Sequence, residues 1–223
     1  MTILALAGKA GVGKDTMAEV LVKKHGYTRI SLADPLRDLC SRVFRMDRSM
    51  FLDHDKKDKE IDMVMLDYHH IDQIREIVQN EWGYPISYDM RENMEEYYDE
   101  EFETPRDILR CIGTKLLRNC IDRNIWIQLA MSKIQSTGPK VVITDCRFEN
   151  EREAFAKCGA LLILIKRNDD GCSENHEHDL GDEYDYDVVF TNDGTLTEFQ
   201  SNIDMWYTLR KDELNFYKVF KYE

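Results

Sequence analysis

The chain has 223 residues, 43% of them hydrophobic, which is enough for one domain or one domain with a substantial insertion. Its formal net charge of −13 argues against a nucleic-acid polymer as a partner, because phosphate backbones select basic surfaces. Six cysteines form no CxxC pair, and the first apolar run lacks a basic leader and is too short to cross a membrane. We therefore expect a cytoplasmic protein with reduced thiols and no membrane contact.

A glycine-rich loop follows the apolar run at residues 3–7, which predicts a buried strand. Residues 8–16 read GKAGVGKDT, and the amphipathic segment after them predicts a helix ending near Gly26. This strand–loop–helix context is that of a phosphate-binding P-loop, in which Lys14 reaches the β- and γ-phosphates of a nucleotide. Asp15 stands where the generic motif has a Ser or Thr ligand for Mg²⁺. The alternative is a glycine-rich turn without a ligand.

Strands and helices alternate through the rest of the chain. Predicted strands are at residues 27–32, 140–145, 161–165 and 188–190, and predicted helices are at 35–44, 104–116, 123–134 and 149–157. A long C-terminal helix is expected to bury one face made of Leu196, Phe199, Ile203, Trp206 and Leu209. This pattern predicts an α/β fold, a three-layer sandwich with a parallel sheet flanked by helices.

Two segments break the alternation. Residues 47–103 are rich in Asp, Glu, Met and Tyr, with a helical stretch at 70–81, and we interpret them as an acidic helical insertion. Residues 167–183 form a polar loop, interpreted as a lid; Cys172, His176 and His178 within it lack zinc-ligand spacing. We expect residues 1–223 to be a single domain.

Charged residues follow several predicted strands. Residues 8–16, Asp34, Asp145 and Arg147 all come just after strand ends, where ligands bind in parallel sheets. Asp145 closes an apolar strand and could hold Mg²⁺ or its waters. The fork of Arg147 suits a phosphate, and its alternative is a surface ion pair.

Phosphoryl transfer requires a second anion site that faces the P-loop. Candidates for that site are Arg106, Arg118 and Arg147. Trp126 could stack on a base, or it could be a core residue of an amphipathic helix. Asn150 and Glu151 could contact a base edge or a sugar, or could be merely solvated.

Five segments taken together resemble the deoxynucleoside monophosphate kinases of tailed bacteriophages. They are residues 8–16, 31–38, 104–114 with Trp126, 141–151, and the turn at 191–196. The likeness spans the chain except for about residues 50–100, and it includes the GKDT variant with Asp15. It implies the P-loop nucleoside-monophosphate-kinase fold and the Mg-ATP-dependent conversion of dNMP to dNDP, which supplies dNTP synthesis.

The resemblance also implies roles for individual residues. ATP would be held by the P-loop residues Gly8, Gly11, Val12, Gly13, Lys14, Asp15 and Thr16. The monophosphate would be bound by Gly113, Thr114, Trp126, Asp145, Arg147, Asn150 and Glu151, with Asp34, Arg106 and Arg118 as further candidates. Lys14, Asp145 and Arg147 are the expected catalytic residues, and Asp15 and Asp145 the expected ligands of Mg²⁺.

Two other functions fit the same sequence. One is a P-loop kinase of another phosphorylated small molecule, such as dephospho-coenzyme A. The other is a non-catalytic ATP-binding regulatory module that docks a partner through its acidic insertion. The accepted bases and the oligomeric state stay open, with a homodimer as one alternative.

Overall fold

A computed structural model describes residues 1–167 and 180–216, so most of the predicted lid, with Cys172, His176 and His178, lies outside the described residues. The chain forms two compact units. The first comprises Met1–Leu32 and Ala130–Glu223, and the second comprises Ala33–Leu129. The second unit thus begins earlier and ends later than the insertion predicted at 47–103.

Among the described residues, five strands lie close to their predicted positions, and two short strands that were not predicted occur within the segment interpreted as a helical insertion. The strands are β1 (Thr2–Ala7), β2 (Thr28–Ile30), β3 (Val64–Met65), β4 (Glu101–Phe102), β5 (Lys140–Ile143), β6 (Leu161–Lys166) and β7 (Val188–Thr191). The α-helices are α1 (Lys14–His25), α2 (Asp34–Val43), α3 (Arg48–Leu52), α4 (His54–Lys57), α5 (Tyr68–Asn80), α6 (Tyr88–Glu95), α7 (Pro105–Arg110), α8 (Ile125–Gln135), α9 (Glu149–Lys157) and α10 (Leu196–Phe216).

A five-stranded parallel sheet in the order β2-β5-β1-β6-β7 forms the centre of the first unit. All six residues of β1 are buried, because neighbouring strands pair with both of its edges and packed helices cover its side chains, which point to the faces of the sheet. The predicted α/β class with a parallel sheet flanked by helices is confirmed. Ligands of such sheets bind beyond the carboxyl ends of the strands, where β1 leads into the glycine-rich loop.

Helices α1 and α10 share one hydrophobic core with the sheet. The prediction for the buried face of α10 was partly wrong, because Leu196 and Leu209 are 62% and 75% exposed. Phe199 and Ile203 are buried as predicted, Trp206 is partly buried against the same core, and Tyr207 and Leu214 complete the buried face. Leu209 lies about 120° around the helix from Ile203, at about 100° per residue, and Leu196 is the first residue of α10, ahead of the buried stretch.

The second unit is mainly helical, with β3 and β4 paired antiparallel. Helix α5 is close to the helix predicted at 70–81 and is capped by Asp67, whose side chain accepts a bond from the backbone of His70. The buried Arg75 joins α5 to α6. Its guanidinium donates to Asp72 on α5 at 3.0 Å, and to the Arg91 carbonyl and the Glu95 carboxylate at 2.7 and 2.9 Å.

The helix predicted at 104–116 begins as expected and then widens. Thr104 caps the backbone of Asp107, and Pro105 opens α7, as their residue types predict. After Arg110 the chain continues as a π-helix, Cys111–Asn119. Gly113 in this helix packs so closely on α2 that a Cβ there would lie 2.6 Å from Leu36 Cδ2.

Five cysteines are described, all as free thiols, and burial raises the pKa of Cys40 and Cys146. Within residues 1–167 and 180–216, no helix combines the length and the apolar character that crossing a membrane requires.

Candidate active site

The loop at residues 8–13 joins the central strand to α1 and has the conformation that its glycines allow. Gly8, Gly11 and Gly13 all have positive φ, at 139°, 79° and 109°. A Cβ on Gly8 would collide with the Ile165 carbonyl oxygen of the neighbouring strand. A side chain at this position would therefore push the loop away from the sheet, which explains why Gly8 must be a glycine.

Lys14 folds back over this loop. Its Nζ donates to the carbonyl oxygens of Gly8 and Lys9 at 2.8 and 2.6 Å. Burial, and to a smaller extent the charge of Arg147, lower the pKa of Lys14 to about 8, although the carboxylates of Asp15 and Asp145 oppose the shift. These influences show that the lysine, two carboxylates and an arginine share one electrostatic neighbourhood.

Helix α1 begins directly after the loop, so its free backbone N–H groups point toward residues 8–13. Asp15 lies in the first turn, a favourable position for a negative charge beside the positive end of a helix. Its carboxylate pairs with the guanidinium of Arg29 on β2. The predicted role of Asp15 as a Mg²⁺ ligand stays a prediction, and Arg29 was not among the predicted residues.

Asp145 lies between the ends of two strands. The N–H of Thr144 bonds to the Ile30 carbonyl of β2, and the N–H of Cys146 bonds to the Leu6 carbonyl of β1. The Asp145 carboxylate accepts hydrogen bonds from Ser31 Oγ at 2.7 Å and from the Leu32 N–H at 2.8 Å. These bonds fix the orientation of the carboxylate beside the loop, as a residue that holds a metal or its waters would require.

Arg147 is exposed and begins the approach to α9. Glu151, only 4% exposed, accepts hydrogen bonds from the N–H groups of Arg147 and Phe148 at 2.7 and 3.1 Å. Glu151 therefore caps α9 and orients the backbone that carries Arg147. Asn150, half-buried, lies in the first turn of the same helix.

The predicted site residues of the second unit are placed separately. Asp34 accepts bonds at 3.0 Å from Arg37 and from Arg48. Arg106 pairs through two nitrogens with Asp58, an ion pair that the sequence did not predict. Each of these charged groups thus has a partner within its own unit.

The remaining candidates of the second unit lie on two helices. Gly113 is buried, Thr114 exposed and Arg118 half-buried along the π-helix. Trp126, on α8, is only 7% exposed and packs edge-on against Trp82, with ring centroids 5.8 Å apart. This packing favours the alternative of a core residue over base stacking.

Sequence reasoning missed three residues of the first unit that contact the P-loop or its acids. They are Ser31, Arg29 and Asn192, whose side-chain Nδ2 donates to the Val12 carbonyl at 2.8 Å. Ser31 and Asn192 lie inside two of the segments that carry the family resemblance, at 31–38 and 191–196. Their position in those segments could have marked them as candidate site residues. The residues that they contact are distant in sequence, so the contacts themselves could not be predicted.

A family model described as deoxynucleotide monophosphate kinase matches residues 63–203, more than half of the chain. The chain belongs to the deoxynucleotide monophosphate kinase family. Membership makes it a kinase, a phosphotransferase that acts on a deoxynucleoside monophosphate, and confirms the resemblance seen in the sequence. The matched residues include Asp145 and Arg147 but begin after the P-loop. The loop is therefore evidence for a kinase that is independent of the family match.

Viral proteins related to this kinase cover most of its length. A putative deoxynucleotide monophosphate kinase of Acanthamoeba polyphaga mimivirus is 29% identical, over 91% of this chain and 94% of its own. The deoxynucleoside-5'-monophosphate kinase of Escherichia phage T5 is 28% identical, over 71% and 73%. The deoxynucleotide monophosphate kinase of Enterobacteria phage T4 is 24% identical, over 91% and 97%.

The donor set near the P-loop fits a Mg²⁺ ion that arrives with a nucleotide. Mg²⁺ usually binds one or two carboxylates together with substrate phosphates and waters, and Asp15 and Asp145 could supply such carboxylates. Among the described residues, no three His, Cys, Asp or Glu side chains converge as a metal-binding group. The kinase therefore offers partial ligation of the kind that a nucleotide-bound ion needs.

Proposed function

We propose that this kinase transfers the γ-phosphoryl group of Mg-ATP to a deoxynucleoside monophosphate. The single observation that supports this choice is that the residue after Asp145, Cys146, bonds to the Leu6 carbonyl of β1, which places Asp145 and Arg147 beside the loop over which Lys14 folds. A phosphoryl transfer site needs a cation at the donor phosphates, a carboxylate for the metal, and a second cation for the acceptor. The first unit contains all three groups.

Each of these residues has a proposed task. Lys14 leaves the carbonyl oxygens of Gly8 and Lys9 and neutralises the β- and γ-phosphates, while the N–H groups of α1 face the same anion. Asp145, oriented by Ser31 and Leu32, holds the Mg²⁺ or one of its waters. The ion neutralises phosphate charge when it is bound.

Arg147 orients the acceptor phosphate. One oxygen of that phosphate then attacks the γ-phosphorus, the bond to the β-phosphate oxygen breaks, and dNDP and ADP result. Asn150 beside Arg147 is a proposed acceptor contact, whereas Glu151 acts by capping α9. For the second unit, the acceptor contacts that the family resemblance implies at Thr114 and Arg118 stay predictions.

The viral relatives suggest where such a reaction would be used. We propose that it supplies deoxynucleotides for DNA synthesis in the cytoplasm of a host cell, with the residues 1–223 acting as one kinase domain.

A substrate panel tests the proposal. We expect ATP-dependent ADP formation with at least one of the four common dNMPs, and a lower kcat/KM with the matching rNMP. The panel includes dephospho-coenzyme A, and product identity is checked by mass. Absence of turnover with every dNMP contradicts the proposal, and turnover of dephospho-coenzyme A alone replaces it with the other kinase.

Lys14→Met separates the kinase from a module that only binds nucleotides. The substitution removes the cation at the donor phosphates, so kcat should fall by at least about 10³-fold, a range typical of lost transition-state contacts. Lys157→Met, on an exposed i,i+4 pair with Glu153, is the matched control and should retain kcat. Equal activity of Lys14→Met and wild type would remove Lys14 from the mechanism.

A further inference from the structure

Asn192 joins three structural elements at the edge of the P-loop. It follows β7, is 6% exposed, and its backbone N–H donates to the Lys166 carbonyl at the end of β6, at 2.8 Å. Its side-chain Nδ2 donates to the Val12 carbonyl, also at 2.8 Å. Its own carbonyl accepts a bond from Arg167 Nε at 2.8 Å. A single residue thus links the loop, two strand ends and an arginine.

The orientation of the Asn192 amide follows from its surroundings. The Val12 oxygen can only accept a hydrogen bond, so the nitrogen of the amide must face it, and the oxygen must point the other way. That Oδ1 atom is buried and has no hydrogen-bond partner among the described residues. The fold therefore tolerates an unsatisfied acceptor in order to place a donor against the loop.

Gly13 shows how closely Asn192 supports the loop. A Cβ built on Gly13 would lie 2.7 Å from Asn192 Nδ2 and 2.8 Å from Phe199 Cε1 of α10. Asn192 and Phe199 therefore form a support beneath the last residues of the loop, one polar and one apolar. The hydrogen bond from Asn192 fixes the orientation of the Val12 carbonyl, which an apolar contact could not do.

We propose that Asn192 is a positioning residue for the donor nucleotide. By holding the Val12 carbonyl, its side chain keeps the peptide groups around Gly13 turned so that their N–H groups face the phosphates. Its backbone carbonyl holds Arg167 at the same edge. The proposal rests on the proposed function only in taking residues 8–16 as the site of nucleotide phosphates.

Calorimetry with ADP tests this role without requiring catalysis. We expect Asn192→Ala to weaken ADP binding about tenfold, the scale of one lost hydrogen bond together with a loosened loop. The KM for ATP should rise to a similar extent, while the KM for the dNMP changes less than about twofold. Asn202→Ala, an exposed asparagine on α10, is the matched control and should bind ADP as wild type does.

Two further variants distinguish positioning from packing. Phe199→Leu keeps the polar contact and should weaken ADP binding less than Asn192→Ala. Asn192→Asp keeps the shape but can donate to the Val12 carbonyl only while its carboxyl is protonated. Its loss of ADP affinity relative to wild type should therefore grow as pH rises, a dependence that a purely structural defect lacks. This variant also serves if Asn192→Ala does not fold.

The outcomes separate the two proposals. Wild-type ADP affinity in Asn192→Ala, or equal rises in KM for ATP and for the dNMP, overturns the positioning role alone. A wild-type protein that binds ADP but phosphorylates no dNMP overturns the proposed function, and the ADP measurements on Asn192 still stand. A wild-type protein that does not bind ADP overturns both.

Discussion

At the scale of single residues, Lys14 combines two properties that nucleotide binding would exploit. Its ammonium is held by two carbonyl oxygens of the loop, and burial with the nearby Arg147 lowers its pKa to about 8. The loop carbonyls take the place of solvent for a cation that is largely removed from water. Because phosphates are stronger partners for a cation than carbonyl oxygens, a nucleotide should draw the lysine away and raise its pKa.

This shift predicts a pH dependence of ADP binding. Below about pH 8 Lys14 is already charged, so its protonation should not affect affinity. Above about pH 8 the free protein loses this proton, binding must restore it, and affinity should fall by up to about tenfold per pH unit. Calorimetry at about pH 7.5 and about pH 9, in buffers of different ionisation enthalpy, should show the uptake of about a quarter of a proton and then of about nine-tenths of a proton.

Phosphate oxygens with a second pKa near about 6 are fully ionised in this window, so they contribute no proton of their own. Lys14→Met is the control and should show pH-independent proton uptake. Proton uptake by wild type that is the same at both pH values would contradict a lowered pKa. Without nucleotide, folding stability depends on pH in the opposite direction from ADP affinity. The free energy of unfolding should rise between about pH 8 and 10.5, because in this range the folded protein has released the Lys14 proton that the unfolded chain still binds.

Asp15 is the residue at which the generic motif and this chain differ. A carboxylate in the first turn of α1 adds negative charge near the phosphates, and the pair with Arg29 compensates for it. Both side chains are largely exposed, at 76% and 45% for Asp15 and Arg29, so the pair contributes little to stability. Its effect would be on the local charge that a nucleotide meets.

At the scale of elements, the first unit depends on how α10 packs. Its buried face is a stripe of Phe199, Ile203, Tyr207 and Leu214 against α1 and the sheet. Phe199, one residue of this stripe, also supports the P-loop, because its ring occupies the space beside Gly13. Packing of the helix and the shape of the nucleotide loop are thereby connected.

Two substitutions in α10 test this packing. Ile203→Ala removes a fully buried side chain and should lower the free energy of unfolding by about 2–5 kcal/mol, since the core cannot close the cavity completely. Leu209→Ala removes a side chain that is 75% exposed and should change it by less than about 0.5 kcal/mol. Urea unfolding of both variants gives the comparison, and similar losses would contradict this packing of α10.

The π-helix is a second element that contains predicted site residues. Nine residues, Cys111–Asn119, adopt the wider helix, and Gly113 and Thr114 lie within it. Such segments are uncommon and are often found at functional sites. The family resemblance places the same two residues at the monophosphate, so the irregular backbone and the predicted site coincide.

At the scale of the whole molecule, charge is the dominant property. Forty-three acidic residues against thirty basic ones leave an excess of thirteen negative charges. Each ion pair uses one charge of each sign, so pairing cannot cancel this excess. Mutual repulsion among unpaired carboxylates opposes folding, whereas exposed ion pairs contribute about 0–1 kcal/mol each.

Salt should therefore stabilise this protein. Raising NaCl from about 0.01 M to about 0.1 M shortens the Debye length from about 30 to about 10 Å and screens the repulsion more than it weakens the short ion pairs. We expect Tm at pH 7 to rise. At a pH near the isoelectric point of about 5.0 the same change should have little effect, which provides the control. A fall in Tm at pH 7 would mean that ion pairs outweigh the net charge.

Much of the fold could be predicted because its signals are local. The apolar run before Gly8, the glycine spacing, Thr104 with Pro105, and Gly26 after α1 each act within a few residues, and the structure places them as expected. The order of strands and helices then indicates a parallel sheet. Family membership could be predicted for the same reason, since short segments in a set order carry it.

The tertiary structure decided what depends on residues far apart in the chain. Asn192 and Val12 are 180 positions apart, and Ser31 and Asp145 are 114 apart, so no spacing could pair them. The same holds for the burial of Trp126 against Trp82 and for the partner of Arg106. By itself the sequence determined the α/β class and the kinase family, and it predicted a phosphate-binding role for the glycine-rich loop. Only packing decided which side chains support that loop, because such contacts depend on the sheet order that brings distant strand ends together.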